Sequence, residues 1–297
     1  MRNSILVTGA SGHFGQLVLK HLTDTLSVPV SRIVAASRNP AKLADWAAKG
    51  VETRALDFEQ PDTFAAAFDG VERALLVSTD ALDRPGRRLE QHTNAINGLK
   101  TAGVSHVIYT SAPNPAGAPL LIAPDHEGTE KALLESGLAG WTVLRNHWYF
   151  ENLFMFLPPV LASGKWYAAD GGQGSADIAR SDLALAAATV LAGTESGKNI
   201  YTLSGAQSLT KAAIGAAVGA AIGKPIEVVQ VPLEGLVQGM VQAGLPEPLA
   251  RVFASFDTNT EAGRVAEVTG DFERITGRQP QSFEDWLQAN KAALAAL

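Results

Sequence analysis

Val7-Thr8-Gly9-Ala10-Ser11-Gly12-His13-Phe14-Gly15 joins a short apolar run, Ile5–Thr8, to a segment in which Phe14, Leu17, Val18, His21, Leu22 and Leu26 fall near helical spacing. Gly9, Gly12 and Gly15 stand three residues apart, not in the commoner G-x-G-x-x-G order, but the physical demands are shared. One glycine permits a tight turn, another lets a pyrophosphate approach the backbone, and a third lets helix and strand pack closely. The N–H groups at the helix start then face the anion, with the helix dipole behind them. A plain glycine-rich strand–helix turn accounts for the glycines alone. The strand before the loop and the alternation after it favour a dinucleotide loop, with Thr8, Gly9, Ser11, Gly12, His13, Phe14 and Gly15 as its candidate contacts.

Outward from this loop, apolar runs at Arg32–Ala36, Val51–Ala55, Arg73–Ser78, His106–Thr110 and Trp141–Arg145 alternate with helical patterns, and Pro40 and Pro61 stand where helices start. Such alternation predicts an α/β fold: a doubly wound parallel sheet of the Rossmann type, covered by helices on both faces. After Arg145 the pattern changes to an aromatic-rich stretch and shorter elements, with helices expected at Ser181–Leu191 and Leu209–Ile222 and strands at Asn199–Leu203 and Ile226–Val231. The reading is a nucleotide-binding domain over residues 1–150 and a smaller C-terminal α/β lobe over 151–297, packed on the sheet edge and partly interleaved with it.

The second strand ends Ala35-Ala36-Ser37-Arg38-Asn39-Pro40, without the carboxylate that grips a ribose 2′-hydroxyl in NAD-preferring units. Arg38 instead suits a 2′-phosphate, paired through its planar fork, and Lys42 stands one turn further; NADPH is the expected cofactor. Asp57 and Phe58, closing the third strand, fall near adenine in this topology, although a helix cap ahead of Pro61 explains Asp57 equally well. Val77, Ser78 and Thr79 follow the fourth strand and are expected beside the ribose and nicotinamide.

Chemistry in such folds lies beyond the carboxyl ends of the strands. The candidates there are Thr110 and Ser111, the Asp125–Lys131 segment, and Asn146-His147-Trp148-Tyr149. Short-chain reductases place Tyr-x-x-x-Lys here, but four residues before Lys131 stands Glu127, so the usual proton donor is absent. His126 is a substitute donor, with a capping or surface role as the plainer alternative. His126-Glu127-Gly128-Thr129-Glu130 lacks the second histidine of a zinc-protease helix, and the chain holds no Walker loop and no G-x-S-x-G elbow. Of the aromatic residues after Asn146, Trp148 and Tyr149 are expected to wall a pocket for a flat substrate, while Phe154 and Phe156 are expected to be structural.

Bulk properties narrow the class. Of 297 residues 46% are hydrophobic, enough for a core without staples. Twenty-four basic against 30 acidic residues leave a net charge of −6, against a nucleic-acid partner. Without cysteine there are no disulfides and no thiolate chemistry. No signal peptide fits the start, and the most membrane-like stretch, Leu153 to Leu161, is short and broken by Pro158-Pro159, so a cytoplasmic protein without membrane contact is expected.

Four blocks carry a family likeness: Thr8 to Gly15, Ser37 to Lys42, His126 to Lys131, and Leu144-Arg145-Asn146-His147-Trp148-Tyr149-Phe150-Glu151-Asn152. Together they resemble the NmrA-like family of atypical short-chain dehydrogenases/reductases, and within it the bacterial quinone- and triphenylmethane-reducing members. The resemblance implies an NADPH-dependent reductase of quinones or similar flat conjugated acceptors, a small-molecule substrate, and a pocket between the two lobes. It carries cofactor roles to Gly9, Gly12, Gly15 and Arg38 and cleft roles to Asn146, Trp148 and Tyr149, with Lys131 and His126 as the remaining catalytic candidates. His147 stands where relatives commonly have glycine. A homodimer is compatible with it. Reduction of a quinone gives a delocalised anion that water can protonate, so the absent tyrosine fits this chemistry. The alternative is a non-catalytic NADP(H)-sensing regulator of the same family; a sugar-nucleotide epimerase fits less well, because that chemistry uses the missing tyrosine.

Overall fold

The computed structural model describes residues 3–297. Its centre is a seven-stranded parallel sheet built from β1 (Ser4–Val7), β2 (Ile33–Ser37), β3 (Glu52–Ala55), β4 (Val71–Leu76), β5 (His106–Ser111) and β6 (Gly140–Asn146), together with a strand from the second half of the chain. Counting β7 (Lys165–Ala168) and β8 (Gly174–Ser175), that strand is β9 (Lys198–Leu203), and the order across the sheet is β3-β2-β1-β4-β5-β6-β9. The reversal of direction at β1 and β4 opens a crevice at the carboxyl ends of these two strands, where this fold holds a dinucleotide.

Helices α1 (His13–Lys20), α2 (Ala44–Ala48), α3 (Phe64–Phe68), α4 (Arg87–Thr101) and α5 (Ala123–Glu135) belong to the first half. The second half adds α6 (Leu153–Ser163), α7 (Arg180–Ala192), α8 (Lys211–Ile222), α9 (Leu233–Gln242), α10 (Glu247–Glu261), α11 (Asp271–Thr276) and α12 (Phe283–Ala295). Strand periodicity explains the double winding. Ile5 and Val7 point to one face and pack with Phe14, Val18 and the buried side of α7; Leu6 points to the other and packs with Phe64, Phe68, Ile96 and Leu99 of α3 and α4. Because both faces are covered, β1 and β2 are apolar without interruption over Ile5–Val7 and Ile33–Ala36.

α7 and β9 belong to the sheet although they follow residue 150, so the chain crosses to the lobe and returns. The lobe has its own apolar core, in which Phe150, Leu157, Trp166, Ile214, Val218, Phe283 and Trp286 are buried. Two small pairings brace it: β7 with β11 (Glu227–Gln230), parallel, and β8 with β10 (Leu209–Thr210), antiparallel. The expected helix at Leu209–Ile222 therefore starts two residues later, where the Thr210 hydroxyl accepts from Ala213 N and caps α8. β4 likewise ends before Val77 and Ser78, because side chains of neighbouring elements take over their N–H groups. Among the described residues no helix is long and apolar enough to cross a membrane.

Candidate active site

Gly9 adopts φ +58° and turns the chain out of β1. A Cβ on Gly15 would lie 2.5 Å from Gly9 O and 2.7 Å from Ala10 Cα, so only glycine lets α1 close onto the loop. A Cβ on Gly12 would meet Gly9 O alone, at 3.3 Å, and otherwise project into open groove. Gly12 is also the N-cap of α1 and brings no side chain to satisfy the helix N–H groups. Backbone donors facing a space of this kind fit the pyrophosphate of a dinucleotide.

The groove runs from Gly9, Ser11, Gly12, His13, Phe14 and Gly15 past Ser37 and Arg38, between Asp57 and Phe58 on one side and Val77, Ser78 and Thr79 on the other. Ser11 Oγ and Ser37 Oγ lie 2.8 Å apart on its wall. The Arg38 side chain is 71% exposed, and its ion pair with Asp80 is a long 3.8 Å. It is therefore available to a phosphate. Lys42 is exposed and lies outside the groove-lining residues. Asp57 lines the groove and also closes a turn, its Oδ1 accepting from Glu59 N at 3.0 Å and its Oδ2 from Gln60 Nε2 at 2.9 Å.

Thr8 and Thr110 are buried and act at one remove. Thr8 Oγ1 accepts from Val77 N at 3.0 Å, Thr110 Oγ1 from Ser78 N at 2.9 Å, and His92 Nε2 from Thr79 N at 3.0 Å. Three successive loop donors are thus fixed by side chains from the residue after β1, from β5 and from α4. His92 was not singled out from the sequence, where it reads as one polar residue on an amphipathic helix. Its Nε2 accepts, so its Nδ1 carries the proton and donates to Thr129 Oγ1 at 2.9 Å. Burial holds it neutral, with a pKa lowered to about 3.

Two catalytic expectations are corrected. Lys131 does not reach the cleft: its side chain is 70% exposed on the solvent face of α5, 3.9 Å from Glu135. The helical turn that buries His126 and Thr129 carries Lys131 outward. His126 is buried within a closed network, and burial holds it well below its ordinary pKa. Arg88 can only donate, so His126 Nε2 accepts from it at 3.3 Å and Nδ1 donates to the Tyr109 hydroxyl at 2.8 Å. A neutral imidazole with both nitrogens engaged is not a ready acid. Ser111 is turned toward α5: its hydroxyl donates to Glu130 Oε1 at 2.6 Å, and Arg145 grips the same carboxylate at 3.0 and 2.6 Å.

At the end of β6 the chain delivers Trp148 and Tyr149 to a second, aromatic cleft, between the sheet and the lobe. Trp148 rests 4.1 Å from Phe256 of α10, ring centre to ring centre, and Tyr149 lies under the Arg180 guanidinium at 5.0 Å. Burial raises the Tyr149 pKa, so it remains a phenol. Asn146 is buried beside that hydroxyl, and neither atom of its amide has a full hydrogen bond. Phe154 packs on Trp286 in the lobe core, but Phe156 lines the cleft and meets Phe253 edge to face at 5.7 Å. Phe253, Phe256, Trp166 and Asp177 complete the walls from far along the chain. No local motif announced them.

Residues 9–194 match the NAD(P)H-binding family. The chain belongs to that family. It is an oxidoreductase, and an NmrA-like family domain-containing oxidoreductase of Aspergillus flavus is 34% identical over 51% of this chain and 50% of its own. Quinone oxidoreductase 2 of Escherichia coli is 34% identical over 92% of this chain and 93% of its own; its structure with NADPH superposes with a TM-score of 0.90, covering 96% and 99% of the two chains. Triphenylmethane reductase of Citrobacter sp., solved with NADP(H), is 31% identical with a TM-score of 0.88 over 96% and 99%. An NAD(P)H azoreductase of Xenophilus azovorans is 29% identical over 98% of this chain and 99% of its own.

Proposed function

We propose that this protein is an NADPH-dependent reductase that delivers hydride to a quinone or a similar flat, conjugated acceptor. The observation that carries the reading is the pairing of two spaces in one fold: a groove lined by the glycine loop, Arg38 and the Val77–Thr79 loop, and an aromatic cleft lined by Trp148 and Tyr149. Gly9, Gly12 and Gly15 would admit the pyrophosphate, Arg38 with Ser11 and Ser37 would hold the 2′-phosphate, and the latched loop Val77 to Thr79 would support the ribose. The bound nicotinamide supplies the hydride. The chain's own part is to stack a planar acceptor between aromatic rings, exclude water and hold the reacting atoms in register. Reductases of quinones, azo compounds and triphenylmethane dyes among the relatives support planar conjugation as the shared acceptor feature.

Anaerobic NADPH oxidation with a panel of quinones, azo dyes and simple ketones tests this. Turnover of the conjugated acceptors with little or none of the ketones is expected. Tight NADPH binding with no turnover on any acceptor would assign the chain to the regulatory alternative.

A further inference from the structure

Asp177 is a carboxyl group on the wall of the aromatic cleft without a cation of its own. The extended segment that carries it is pinned at both ends: Ser175 pairs with Leu209, and Ile178 donates its N–H to Trp148 O at 3.0 Å while bridging Tyr149. Alternation sends Ala176 and Ile178, both fully buried, to one side and places Ser175 and Asp177 on the other, where both line the cleft. The Ser175 hydroxyl donates to Asp177 Oδ1.

The two other carboxylates of the cleft are held differently. Lys211, at the start of α8, lies 2.5 Å from Asp257 of α10 and 3.5 Å from Asp170 after β7. Asp257 also accepts from Ala169 N at 2.7 Å, and Asp170 from Gly172 N at 2.9 Å and Gln230 Nε2 at 2.7 Å. These groups are tied down as structural anions, and they occupy the ammonium. Arg180, at the start of α7, turns to the Tyr149 ring and to Asn152. What remains for Asp177 is one serine hydroxyl and the field of Lys211, without an ion pair. Burial pushes its carboxyl up to about 6, against the pull of Ser175 and Lys211.

Resting on the reductase reading above, we propose that Asp177 is the catalytic proton donor to the reduced acceptor. Its carboxyl hydrogen-bonds an acceptor oxygen, or nitrogen in an azo compound. Hydride leaves the dihydronicotinamide carbon and bonds to one quinone oxygen, so the quinone is reduced by two electrons to a hydroquinone monoanion, charged on its other oxygen, as the nicotinamide is oxidised. The Asp177 O–H bond breaks, its proton joins the anionic oxygen, and the carboxylate is steadied by the Ser175 hydroxyl until water returns a proton. A donor whose affinity for the proton lies near neutral pH is suited to this transfer. The sequence reading sought the acid on α5; the tertiary structure offers one from the lobe side.

The test combines single-turnover NADPH oxidation by a small benzoquinone, with cofactor saturating, over pH 5–8, and binding of the same quinone to the cofactor-free protein by tryptophan fluorescence. In the wild-type protein both rate and quinone affinity should fall as pH rises through about 6. Asp177→Asn keeps a donor and the shape, so its binding should lose the pH dependence, while its rate below pH 6 drops by about 10²-fold. Asp177→Glu should restore part of the rate and its alkaline limb. Ser175→Ala removes the bond that favours the carboxylate, so the limb should move to higher pH. The loss in Asp177→Asn should be larger for azo compounds, whose reduced anions are more basic. A wild-type rate that is pH-dependent but unchanged in Asp177→Asn overturns the proposal and leaves the reductase standing. Failure of the wild-type protein to reduce any quinone or azo compound sinks the reductase reading instead.

Discussion

His92 Nε2 accepts the backbone N–H of Thr79 at 3.0 Å, so a side chain on α4 fixes the loop that follows β4. Neither residue needs to touch the nicotinamide for this bond to matter. His92→Phe leaves the part-buried Thr79 N–H without this partner and should weaken NADPH binding by about 1–3 kcal/mol, the usual cost of an orphaned donor. Isothermal titration on the folded variant measures it. Unchanged affinity would show that the loop holds its shape without the latch.

Arg38→Ala should weaken NADPH by about 10- to 150-fold, equivalent to about 1.5–3 kcal/mol, and leave NADH nearly unaffected. The guanidinium is exposed and only loosely paired with Asp80, so little folding free energy is lost with it. Parallel titrations with the two cofactors decide the matter. Equal losses would remove Arg38 from 2′-phosphate recognition.

Gly12 and Gly15 should fail differently. Gly12→Val fills the groove side of the loop, so cofactor binding is lost while circular dichroism and melting stay near wild type. Gly15→Ala drives a methyl into Gly9 O and Ala10, and should lower the melting temperature as well. A Gly12→Val protein that binds NADPH normally would disprove the loop's role.

Trp148→Ala should cost more turnover than Lys131→Ala. The indole meets Phe256 at a tilt in the cleft wall, whereas the lysine stands in solvent. We expect at least a tenfold fall in kcat/KM for quinones in the first, through lost alignment of the acceptor, and less than a twofold change in the second. A large loss in Lys131→Ala at saturating NADPH would return that residue to the site.

His147 is buried, and neither ring nitrogen has a hydrogen-bond partner among the described residues. Burial lowers its pKa from 6.5 to about 4. Below pH 6.5 the unfolded chain binds a proton that the folded chain refuses, so this stabilising contribution is complete above 6.5 and is lost as pH falls toward 4. His147→Leu should flatten that acid limb by about 2–3 kcal/mol in urea denaturation between pH 7 and 4. The same acid sensitivity in the variant would place the titration on His92, His106 or His126, which burial also depresses.

The sequence by itself determined the fold and one end of the site. Contiguous residues carry both signals: an apolar strand, three glycines and a helix in one stretch of fifteen, and Arg38 directly after the next strand. Local spacing suffices there because, in the proposed function, the cofactor's phosphates would meet consecutive backbone N–H groups and one residue at a strand end. The aromatic cleft was legible only where it too is contiguous, at Trp148 and Tyr149. His126 and Lys131 share a helical turn, and only the packing of α5 against α4 and β5 decided that one is buried in a network and the other faces solvent. Asp177, Phe253 and Phe256 approach Trp148 because the lobe folds back over the strand ends, across separations of 29 to 108 residues that no periodicity records. Whether Asp177 is an ordinary carboxylate or a proton donor depends on what surrounds it, since the Lys211 ammonium is claimed by Asp170 and Asp257.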